Sequence, residues 1–369
     1  MRRSQRTSER SESGIALIIV MISILVLASL AGGFAIAMKV ETTLARNAGS
    51  ETELEWLGRS GVEYARWILA QQAMCQQEPY DALSQVWAGG PGGACATNGP
   101  LMDVQKTVTL GRGTFTWKIT DCESKYNVNS LLGPGGEDIL HQAFTEMGID
   151  PGDFPPLTGA ILDWIDPDDD THQDGAESSY YQTLSPPYYA KNGPIDDVSE
   201  LLMVRGITQD MYWGPASTNH QIGLFQQQAG SPPAGGPQPG YAVGLADLFT
   251  AISSGKININ TASSAVFQLI PGIDPMRADA IVAARQGEDD GSGMVGPYRS
   301  LDPGYLFNRI PGLGLEGARA LSQFATLRST AFEVQIDAQI GNYKRTFKAV
   351  LGRNAQNPRD IQILSFNWQ

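Results

Sequence analysis

The sequence predicts an α+β protein, in which a long N-terminal helix packs on an antiparallel sheet and a large, mainly α-helical insertion interrupts that sheet. Three observations lead to this prediction. No proline occurs before Pro79, residues 104–120 and 331–353 alternate apolar and polar side chains, and the sequence between these two segments has helical character. Strand-like segments on both sides of helical sequence are typical of one sheet with an insertion.

The composition is that of a folded, acidic protein. Of its 369 residues, 18% are charged and 42% are hydrophobic, and the net charge is −13. That length is sufficient for two domains, or for one domain with a large insertion. Because a strongly acidic chain repels nucleic acid at long range, the composition argues against a DNA-binding function.

An uncharged segment near the N-terminus predicts a membrane-spanning helix. Residues 15–38 carry no charge, and Arg2, Arg3, Arg6 and Arg10 precede them. As a helix this segment would measure about 36 Å, which is enough to cross a bilayer with the arginine-rich end in the cytoplasm. Apolar positions continue in a helical pattern beyond it, which predicts one helix of about 55–60 residues whose second half packs on a soluble domain.

Two β-hairpins are predicted outside the insertion. The first has its turn at Gly111-Arg112-Gly113, and the second has its turn at Gly341-Asn342. A last short strand is predicted at 361–366. Together with the second half of the helix, these strands define a discontinuous α/β domain of residues 39–136 plus 329–369.

The insertion contains an internal echo. The motif YNVNS at 126–130 resembles ININT at 257–261, and each motif is followed by helical sequence and a glycine hairpin. This pattern predicts two related helical modules. The region between them begins with a Gly/Pro-rich stretch that reads as a flexible linker. The predicted parts are a first module at 137–228, a linker region at 229–256 and a second module at 257–328.

Three cysteines occur, and none of them forms a CxxC pair, which argues against a zinc ribbon or a redox motif. Cys75 and Cys95 flank a Gly/Pro-rich loop and are the preferred disulfide pair if the domain lies outside the cytoplasm. Three free buried thiols, including Cys122, are the alternative.

The N-terminus resembles the type IV pilin-like superfamily. Its Ser13-Gly14-Ile15-Ala16-Leu17 follows a short basic leader and opens the apolar helix, as in pilins and pseudopilins. The resemblance implies a pilin-type sheet domain, a leader peptide at 1–14 and a transmembrane helix at 15–38. It also implies that a prepilin peptidase cuts between Gly14 and Ile15 and methylates the new N-terminus at Ile15.

One position departs from the superfamily pattern. Most members carry glutamate at the fifth position after the cleavage site, and this chain has Ile19 there. In the fibre that carboxylate is thought to neutralise the N-terminal amine of the subunit above, and an unpaired charge in lipid is costly. A subunit at the tip has no neighbour above it, so Ile19 is interpreted as tip-specifying.

Several motifs in the insertion narrow the resemblance. The segments ININTASSAVFQLIPGI, RADAIVAAR, GAILDWID, DGAE and DVSELLMVRGIT look like those of the minor pseudopilin K (GspK) family of type II secretion systems. The resemblance implies a subunit at the tip of the pseudopilus that acts in its assembly and in the export of folded proteins. It would be anchored in the bacterial inner membrane, with its C-terminal domain in the periplasm. The implied partners are the I- and J-type minor pseudopilins, the major pseudopilin, the prepilin peptidase, the inner-membrane secretion platform and the secreted substrate, with no nucleic acid.

Residues 163–177 are the sharpest candidate for a binding site, because seven of these fifteen residues are acidic. Counted from Asp166 as position one, acids fall at positions one, three, five, nine and twelve, which is the ligand spacing of a calcium loop. The histidine at seven would contribute its backbone carbonyl, although position six lacks the usual glycine. We therefore predict calcium on a scaffold other than an EF-hand, which the pseudopilin K resemblance also implies, against the alternative of a solvated acidic loop. The predicted ligands are Asp163, Asp166, Asp168, Asp170, His172, Asp174 and Glu177.

The helical modules look like helix-hairpin-helix (SAM-like) units, whose hairpin N–H groups bind phosphates in DNA-binding proteins. Here Asp274 stands where a second hairpin glycine would be, and residues 257–328 contain six arginines against seven acids. Hairpins that only pack helices are therefore favoured, and a membrane-tethered DNA receptor of a competence or type IV pilus system is the alternative function. Because P-loop, GxSxG and HExxH motifs are absent, we predict no enzyme, and a calcium-dependent hydrolase is the weaker third option.

Overall fold

The structure is a computed structural model that describes residues 12–97, 99–216, 241–287 and 294–368, with the side chains of residues 12–14 and 45–48 left out. The predicted leader up to residue 11 and the Gly/Pro-rich stretch 229–240 lie outside the described residues. The helices are α1 Glu12–Ala73, α2 Ala94–Thr97, α3 Gly136–Met147, α4 Phe154–Ile165, α5 Ser178–Tyr181, α6 Gln209–Trp213, α7 Leu245–Leu248, α8 Ser264–Phe267, α9 Pro275–Ala284, α10 Pro303–Arg309 and α11 Gly314–Phe324. The strands are β1 Thr107–Leu110, β2 Gly113–Asp121, β3 Tyr126–Asn127, β4 Phe249–Thr250, β5 Ile257–Asn258, β6 Ala325–Thr326, β7 Ala331–Ile340, β8 Tyr343–Arg353 and β9 Ile361–Trp368.

The predicted single N-terminal helix is confirmed, since α1 runs unbroken for 62 residues. Its first part is long and apolar enough to cross a membrane: the most apolar window has a mean hydropathy of 2.9, and none of that window is buried against the protein. Its second half buries Leu54, Leu57, Val62, Ile68 and Leu69 against the sheet. One continuous helix therefore combines an apolar half that does not contact the rest of the protein with an amphipathic half that packs on the sheet.

Two glycines let α1 lie close to the sheet. A Cβ atom on Gly58 would stand 2.5 Å from the ring of Phe347 in β8, and one on Gly61 would stand 2.6 Å from Ile336 Cγ2 in β7. Both distances are shorter than carbon atoms tolerate, so glycine at these two positions sets how closely the helix axis approaches the strands.

The sheet has five antiparallel strands in the order β1-β2-β7-β8-β9. Both predicted hairpins are confirmed: Leu110 pairs with Gly113 across the first turn, and Ile340 pairs with Tyr343 across the second. The central pairing of β2 with β7 joins the two hairpins although the whole insertion separates them in sequence. One sheet is therefore interrupted by the insertion, as predicted.

The insertion leaves the sheet at the end that is far from the apolar half of α1. Both hairpin turns lie toward that apolar half, because Arg112 pairs with Glu53 and Arg345 Nη1 lies 2.9 Å from Glu51 Oε1. The opposite strand ends, at Asp121 in β2 and at the start of β7, lead into and out of the insertion. The sheet thus stands between the apolar helix and the helical insertion.

The two helical modules share one hydrophobic core. Each module closes with a two-residue parallel pairing: β3 pairs with β4, and β5 pairs with β6. Among the described residues, β3 and β4 flank the first module, predicted at 137–228, and β5 and β6 flank the second, predicted at 257–328. Leu245, Leu248 and Phe249, which lie in the predicted linker region, are buried in this core.

Equivalent turns open the two modules. Asn127 Oδ1 accepts from the N–H of Asn129, and Asn258 Oδ1 accepts from the N–H of Asn260, both at 2.9 Å. The helix pairs α8–α9 and α10–α11 of the second module are each joined by a turn that contains a glycine with positive φ, Gly272 and Gly312. The internal repeat in the sequence therefore corresponds to a repeat in the structure. The helix-hairpin-helix description of these helix pairs stays a prediction.

A buried polar network joins the insertion to the sheet. Asp121 Oδ2 accepts from Asn258 Nδ2 at 2.9 Å, from the Thr261 hydroxyl at 2.6 Å and from the Ser329 hydroxyl at 2.7 Å. Burial, and after it the neighbouring Glu123 carboxylate, raises the pKa of Asp121 to about 8. Hydrogen bonds inside such a site fix one arrangement of the two parts, because an unpaired polar group there would be costly.

Candidate metal centre

The candidate site starts at the C-terminal end of α4. Pro167 follows Asp166 and cannot continue the helix, so the chain leaves α4 at Asp166 in an extended conformation. Asp163 lies one turn earlier on the buried side of the helix and has no exposed surface. The acidic loop, which we define as residues 166–177, then folds back over this helix end.

His172 brings its ring to the two helix-end carboxylates. Its Nδ1 lies 2.6 Å from Asp163 Oδ1 and 3.5 Å from Asp166 Oδ2. The backbone N–H of His172 also donates to Asp163 Oδ1, at 2.9 Å. One ligand atom from each of the three side chains lies within 4.8 Å of the other two, which is close enough for all three to contact one cation.

A second group shares one residue with the first. Asp166, Asp168 and Glu177 also place one carboxylate oxygen each within 4.8 Å of the others. Burial raises the pKa of Glu177 to about 7, and the nearby carboxylates of Asp163, Asp166 and Asp169 add to this effect. Burial and the neighbouring carboxylates raise the pKa of Asp166 as well. Burial, reinforced by the neighbouring like charges, accounts for both shifts.

Several buried carboxylate oxygens of this site have no hydrogen-bond partner among the described residues. Among the described residues, no hydrogen bond reaches Asp163 Oδ2, Asp166 Oδ1 or either carboxylate oxygen of Glu177. Glu177 as a whole is 2% exposed, so water does not satisfy these atoms from the surface. A buried carboxylate without a hydrogen bond or a counter-charge is strongly unfavourable, and a divalent cation bound by oxygen atoms would satisfy all of them. The donor set therefore fits a metal ion.

Glycine makes room for the carboxylates. A Cβ atom on Gly175 would stand 2.1 Å from Asp163 Oδ2, and one on Gly159 in α4 would stand 2.7 Å from the carbonyl oxygen of Gln173. Any side chain at these positions would push the acidic loop away from α4, so the two glycines hold the carboxylates together.

Two residues beside the loop were missed by the sequence analysis. Asn192 donates to the carbonyl of Asp168 at 2.7 Å and to Asp169 Oδ1 at 2.9 Å, and its own Oδ1 is buried without a partner among the described residues. Arg205 Nη1 donates to the carbonyl of Gly175 at 3.0 Å. Asn192 has a positive φ of 45°, which is uncommon outside glycine, but a lone asparagine in a loop gives no sequence signal for a ligand.

The predicted calcium ligands divide into two sets. The structure brings Asp163, Asp166, Asp168, His172 and Glu177 together, whereas Asp170 and Asp174 belong to neither group. Asp170 donates its N–H to Asp168 Oδ1 at 2.9 Å, and the carbonyl of His172, the predicted ligand atom, accepts from the N–H of Gly175 at 2.9 Å. The calcium-loop spacing was therefore a partial guide, because this loop lacks the EF-hand glycine and turns differently in its middle.

The remaining predicted residues lie far from this centre. Gly14, Ile15 and Ile19 are in the apolar part of α1, where Ile15 is 57% and Ile19 58% exposed in the absence of a bilayer. Cys75 and Cys95 form a disulfide below the insertion, which is the pair that the sequence analysis preferred, and Cys122 is free and buried.

The cationic side chain of Arg277, beside the hairpin of the second module, forms hydrogen bonds within that module. Arg277 donates to the carbonyls of Gly272 at 2.7 Å and Gly312 at 3.2 Å, and it lies 3.5 Å from Asp274 Oδ2. Asp274 caps α9 by accepting from the N–H of Arg277 at 2.9 Å. An arginine that stabilises two turns is not available for phosphate, so the DNA-receptor alternative gains no support here.

The sequence that forms this site is similar to that of known proteins. A family profile described as "Type II secretion system (T2SS), protein K" matches residues 124–213, which contain α3, α4 and the acidic loop. A putative type II secretion system protein K of Escherichia coli K12 is 24% identical over 210 residues, and the type II secretion system protein K of Aeromonas hydrophila is 25% identical over 218 residues. The chain is similar to type II secretion system proteins K.

The family match leaves part of each relative uncovered. The two alignments cover 54% and 55% of this chain and 60% and 61% of the relatives. The protein K of Pseudomonas aeruginosa is 23% identical over 296 residues, which are 76% of each chain. A chain from the crystal structure of the GspK-GspI-GspJ complex of the enterotoxigenic E. coli type 2 secretion system superposes with a TM-score of 0.64 at 19% identity, covering 88% of this chain and 99% of that chain. The sequence similarity and the shared fold agree, and the predicted resemblance to the pseudopilin K family is confirmed.

Proposed function

We propose that this protein is a type II secretion system protein K, a minor pseudopilin at the tip of the pseudopilus. It would act in pseudopilus assembly and in the export of folded proteins across the outer membrane, by assembly and recognition rather than catalysis. It would be anchored in the bacterial inner membrane by α1, with the N-terminus in the cytoplasm and the sheet and insertion in the periplasm.

The observation that carries this proposal is the position of the insertion. The hairpin turns near Glu51 and Glu53 face the apolar half of α1, and the insertion leaves from the opposite end of the sheet. In a fibre built from stacked helices like α1, that opposite end faces the next subunit above. A module of this size would block the subunit above but is tolerated where no subunit follows.

The partners follow from the same arrangement. The prepilin peptidase would cut between Gly14 and Ile15 and methylate Ile15, and α1 would then enter the fibre core beside the major pseudopilin. The I- and J-type minor pseudopilins are the proposed neighbours at the tip, a proposal supported by the fold shared with a chain of the GspK-GspI-GspJ complex. The inner-membrane platform and the secreted substrate are proposed as further contacts.

A matched pair of substitutions tests the tip position. Ile18 and Ile19 are equally exposed on α1, at 58% each, so Ile18→Glu is the control for Ile19→Glu. At the tip neither glutamate has an amine above it, so both variants pay the cost of a charge in lipid and should lower secretion alike. In the shaft, Glu at 19 would pair with the amine of the next subunit and only Ile18→Glu would be harmful. Normal secretion by Ile19→Glu would therefore contradict the tip assignment.

We also propose calcium as the ion of the oxygen-only group formed by Asp166, Asp168 and Glu177, with the Asn192 Oδ1 atom as a candidate further ligand. These are the hard oxygen ligands that Ca²⁺ prefers. Calcium at 100 times its dissociation constant should stabilise the fold by about 2.7 kcal/mol. The test is the melting temperature of the full chain in detergent with and without chelator, for the wild type and Glu177→Gln. An unchanged wild-type melting temperature on chelation would contradict this proposal.

A further inference from the structure

A cavity of about 330 Å³ lies between the discontinuous α/β domain and the second module. One wall is formed by Ala82, Leu83 and Ser84, and the other by the second module around the end of α9. Of the nine described residues that line the cavity, five have no polar side chain and Arg285 alone is charged. Apolar walls with a few polar groups are typical of a ligand site, and this volume is at the lower end of the range for such sites.

The guanidinium of Arg285 has donors that the described residues do not use. Its Nη1 donates to the carbonyl of Ile259 at 2.8 Å, and in the described ranges no carboxylate pairs with this side chain. Burial lowers the pKa of Arg285 to about 10, and the nearby Tyr298 partly opposes this shift. A positive charge that is largely withdrawn from water favours a counter-ion, and a guanidinium can donate to both oxygens of one carboxylate.

We propose that this cavity binds the C-terminal carboxylate of a partner polypeptide whose last residue is apolar. The carboxylate would accept from Arg285, and the terminal side chain would contact Leu83 and Val282. An internal Asp or Glu would bring peptide groups on both of its sides, which apolar walls do not satisfy, whereas a chain end brings only one. This inference does not depend on where the chain sits in a pseudopilus.

Hydrogen bonds hold the two walls of the cavity at a fixed separation. Asn258 Nδ2 donates to the carbonyl of Asp81 at 3.1 Å, and the N–H of Asp81 donates to the carbonyl of Leu327 at 2.8 Å. These bonds join the residue before Ala82 to the first and last parts of the second module. A site whose walls are already in place binds its ligand without the cost of ordering them.

The test is a calorimetric titration of the full chain in detergent with N-acetyl-leucine, which has the carboxylate and the apolar side chain of such a chain end. One equivalent should bind. The neutral N-acetyl-leucinamide should bind about 10-fold more weakly or worse, because it loses the charge-assisted hydrogen bonds. N-acetyl-glutamic acid α-methylamide, whose carboxylate lies on a side chain between two peptide groups, should also bind about 10-fold more weakly or worse.

A matched pair of substitutions locates the binding. Arg285→Met should weaken the binding of N-acetyl-leucine by about 10- to 100-fold, because the carboxylate loses its charged donor. Arg319→Met is the same substitution at an exposed position of α11 and should leave the affinity unchanged.

Three acids follow Arg285 in the sequence, outside the described residues: Glu288, Asp289 and Asp290. The triple variant Glu288→Gln, Asp289→Asn and Asp290→Asn should bind N-acetyl-leucine as tightly as the wild type. If only this triple variant bound N-acetyl-leucine, the cavity would belong to acids of this chain rather than to a partner, and the proposal would be overturned.

Chemical modification keeps the test decisive if Arg285→Met does not fold. In the wild type, N-acetyl-leucine should slow the reaction of phenylglyoxal with Arg285 but not with Arg319, as read by mass spectrometry of the peptides. Equal binding of the acid and either control compound, unchanged affinity of a folded Arg285→Met variant, or no protection of Arg285 would each overturn the proposal.

Discussion

The side chain of Asn129 forms hydrogen bonds with both the backbone N–H and the backbone carbonyl of Ile195. Asn129 Oδ1 accepts from the N–H of Ile195 at 2.7 Å, and Asn129 Nδ2 donates to its carbonyl at 3.0 Å. In the second module Asn260 makes the same two bonds to Tyr298, at 2.7 and 3.0 Å. Asn129 lies two residues after Asn127, and Asn260 lies two residues after Asn258, the asparagines whose turns open the two modules. The same pair of hydrogen bonds from side chain to backbone therefore occurs at equivalent places in both copies of the repeat.

Removing either asparagine should destabilise its module. Asn129→Ala or Asn260→Ala leaves a partly or fully buried N–H and carbonyl without partners, which should cost about 1–3 kcal/mol. Chemical denaturation of the full chain in detergent measures this loss, and Asn308→Ala, at an exposed position of α10, is the matched control. Equal stability of the three variants would show that these bonds do not hold the modules together.

Close packing of α1 on the sheet predicts opposite effects of one substitution at two glycines. Gly58→Ala must displace the ring of Phe347, which should cost about 1–3 kcal/mol. Gly49→Ala lies in the same helix with nothing within 4 Å of the added atom, so it should stabilise the helix by up to about 1 kcal/mol. Melting temperatures that shift in the same direction for both variants would contradict the close approach of α1.

The buried carboxyl of Asp121, where the sheet joins the insertion, predicts that the stability of the fold depends on pH. Its pKa is raised to about 8 from 3.8, so the folded state holds the proton more tightly than the unfolded state. The stability from this group is therefore complete below pH 4 and is lost as the pH rises through 8, by at most about 1.4 kcal/mol per pH unit. Asp121→Asn should remove this part of the slope in denaturation at pH 5 to 9 with calcium saturating, whereas Asp103→Asn, at an exposed position, should keep it. A slope that is the same in all three proteins would rule out Asp121 as its source.

The disulfide should stabilise the end of α1. Cys75 and Cys95 are 20 residues apart, and closing a loop of about that length contributes about 3 kcal/mol in the chain-entropy account. The double substitution Cys75→Ser and Cys95→Ser should lower the melting temperature, and a reductant should then have no further effect. If the double variant had the same melting temperature as the untreated wild type, the disulfide would contribute nothing to stability.

The sequence was informative wherever a local pattern decided the structure. The turns at Gly111-Arg112 and Gly341-Asn342 set the hairpins, because glycine or asparagine at such positions accepts turn conformations that other residues avoid. The uncharged segment, the helical pattern of apolar positions after it and the absence of proline before Pro79 together predicted α1 as one helix.

Long-range contacts explain what the sequence did not reveal. Phe249 in β4 pairs with Tyr126 in β3, and no local pattern links residues that far apart. In the acidic loop the spacing of the acids gave no signal for the contact of the His172 ring with Asp163, because the direction of that ring depends on how the loop folds over α4. Asn192 reaches the loop from sequence outside it, which spacing within the loop cannot predict.

Co-purification tests the central claim most directly. The full chain, expressed with the I- and J-type minor pseudopilins of its own secretion system and extracted in detergent, should be recovered with both in equal amounts, and the major pseudopilin should not replace them. A chain that is recovered without the I- and J-type subunits, or with the major pseudopilin in their place, would contradict the assignment to the pseudopilus tip.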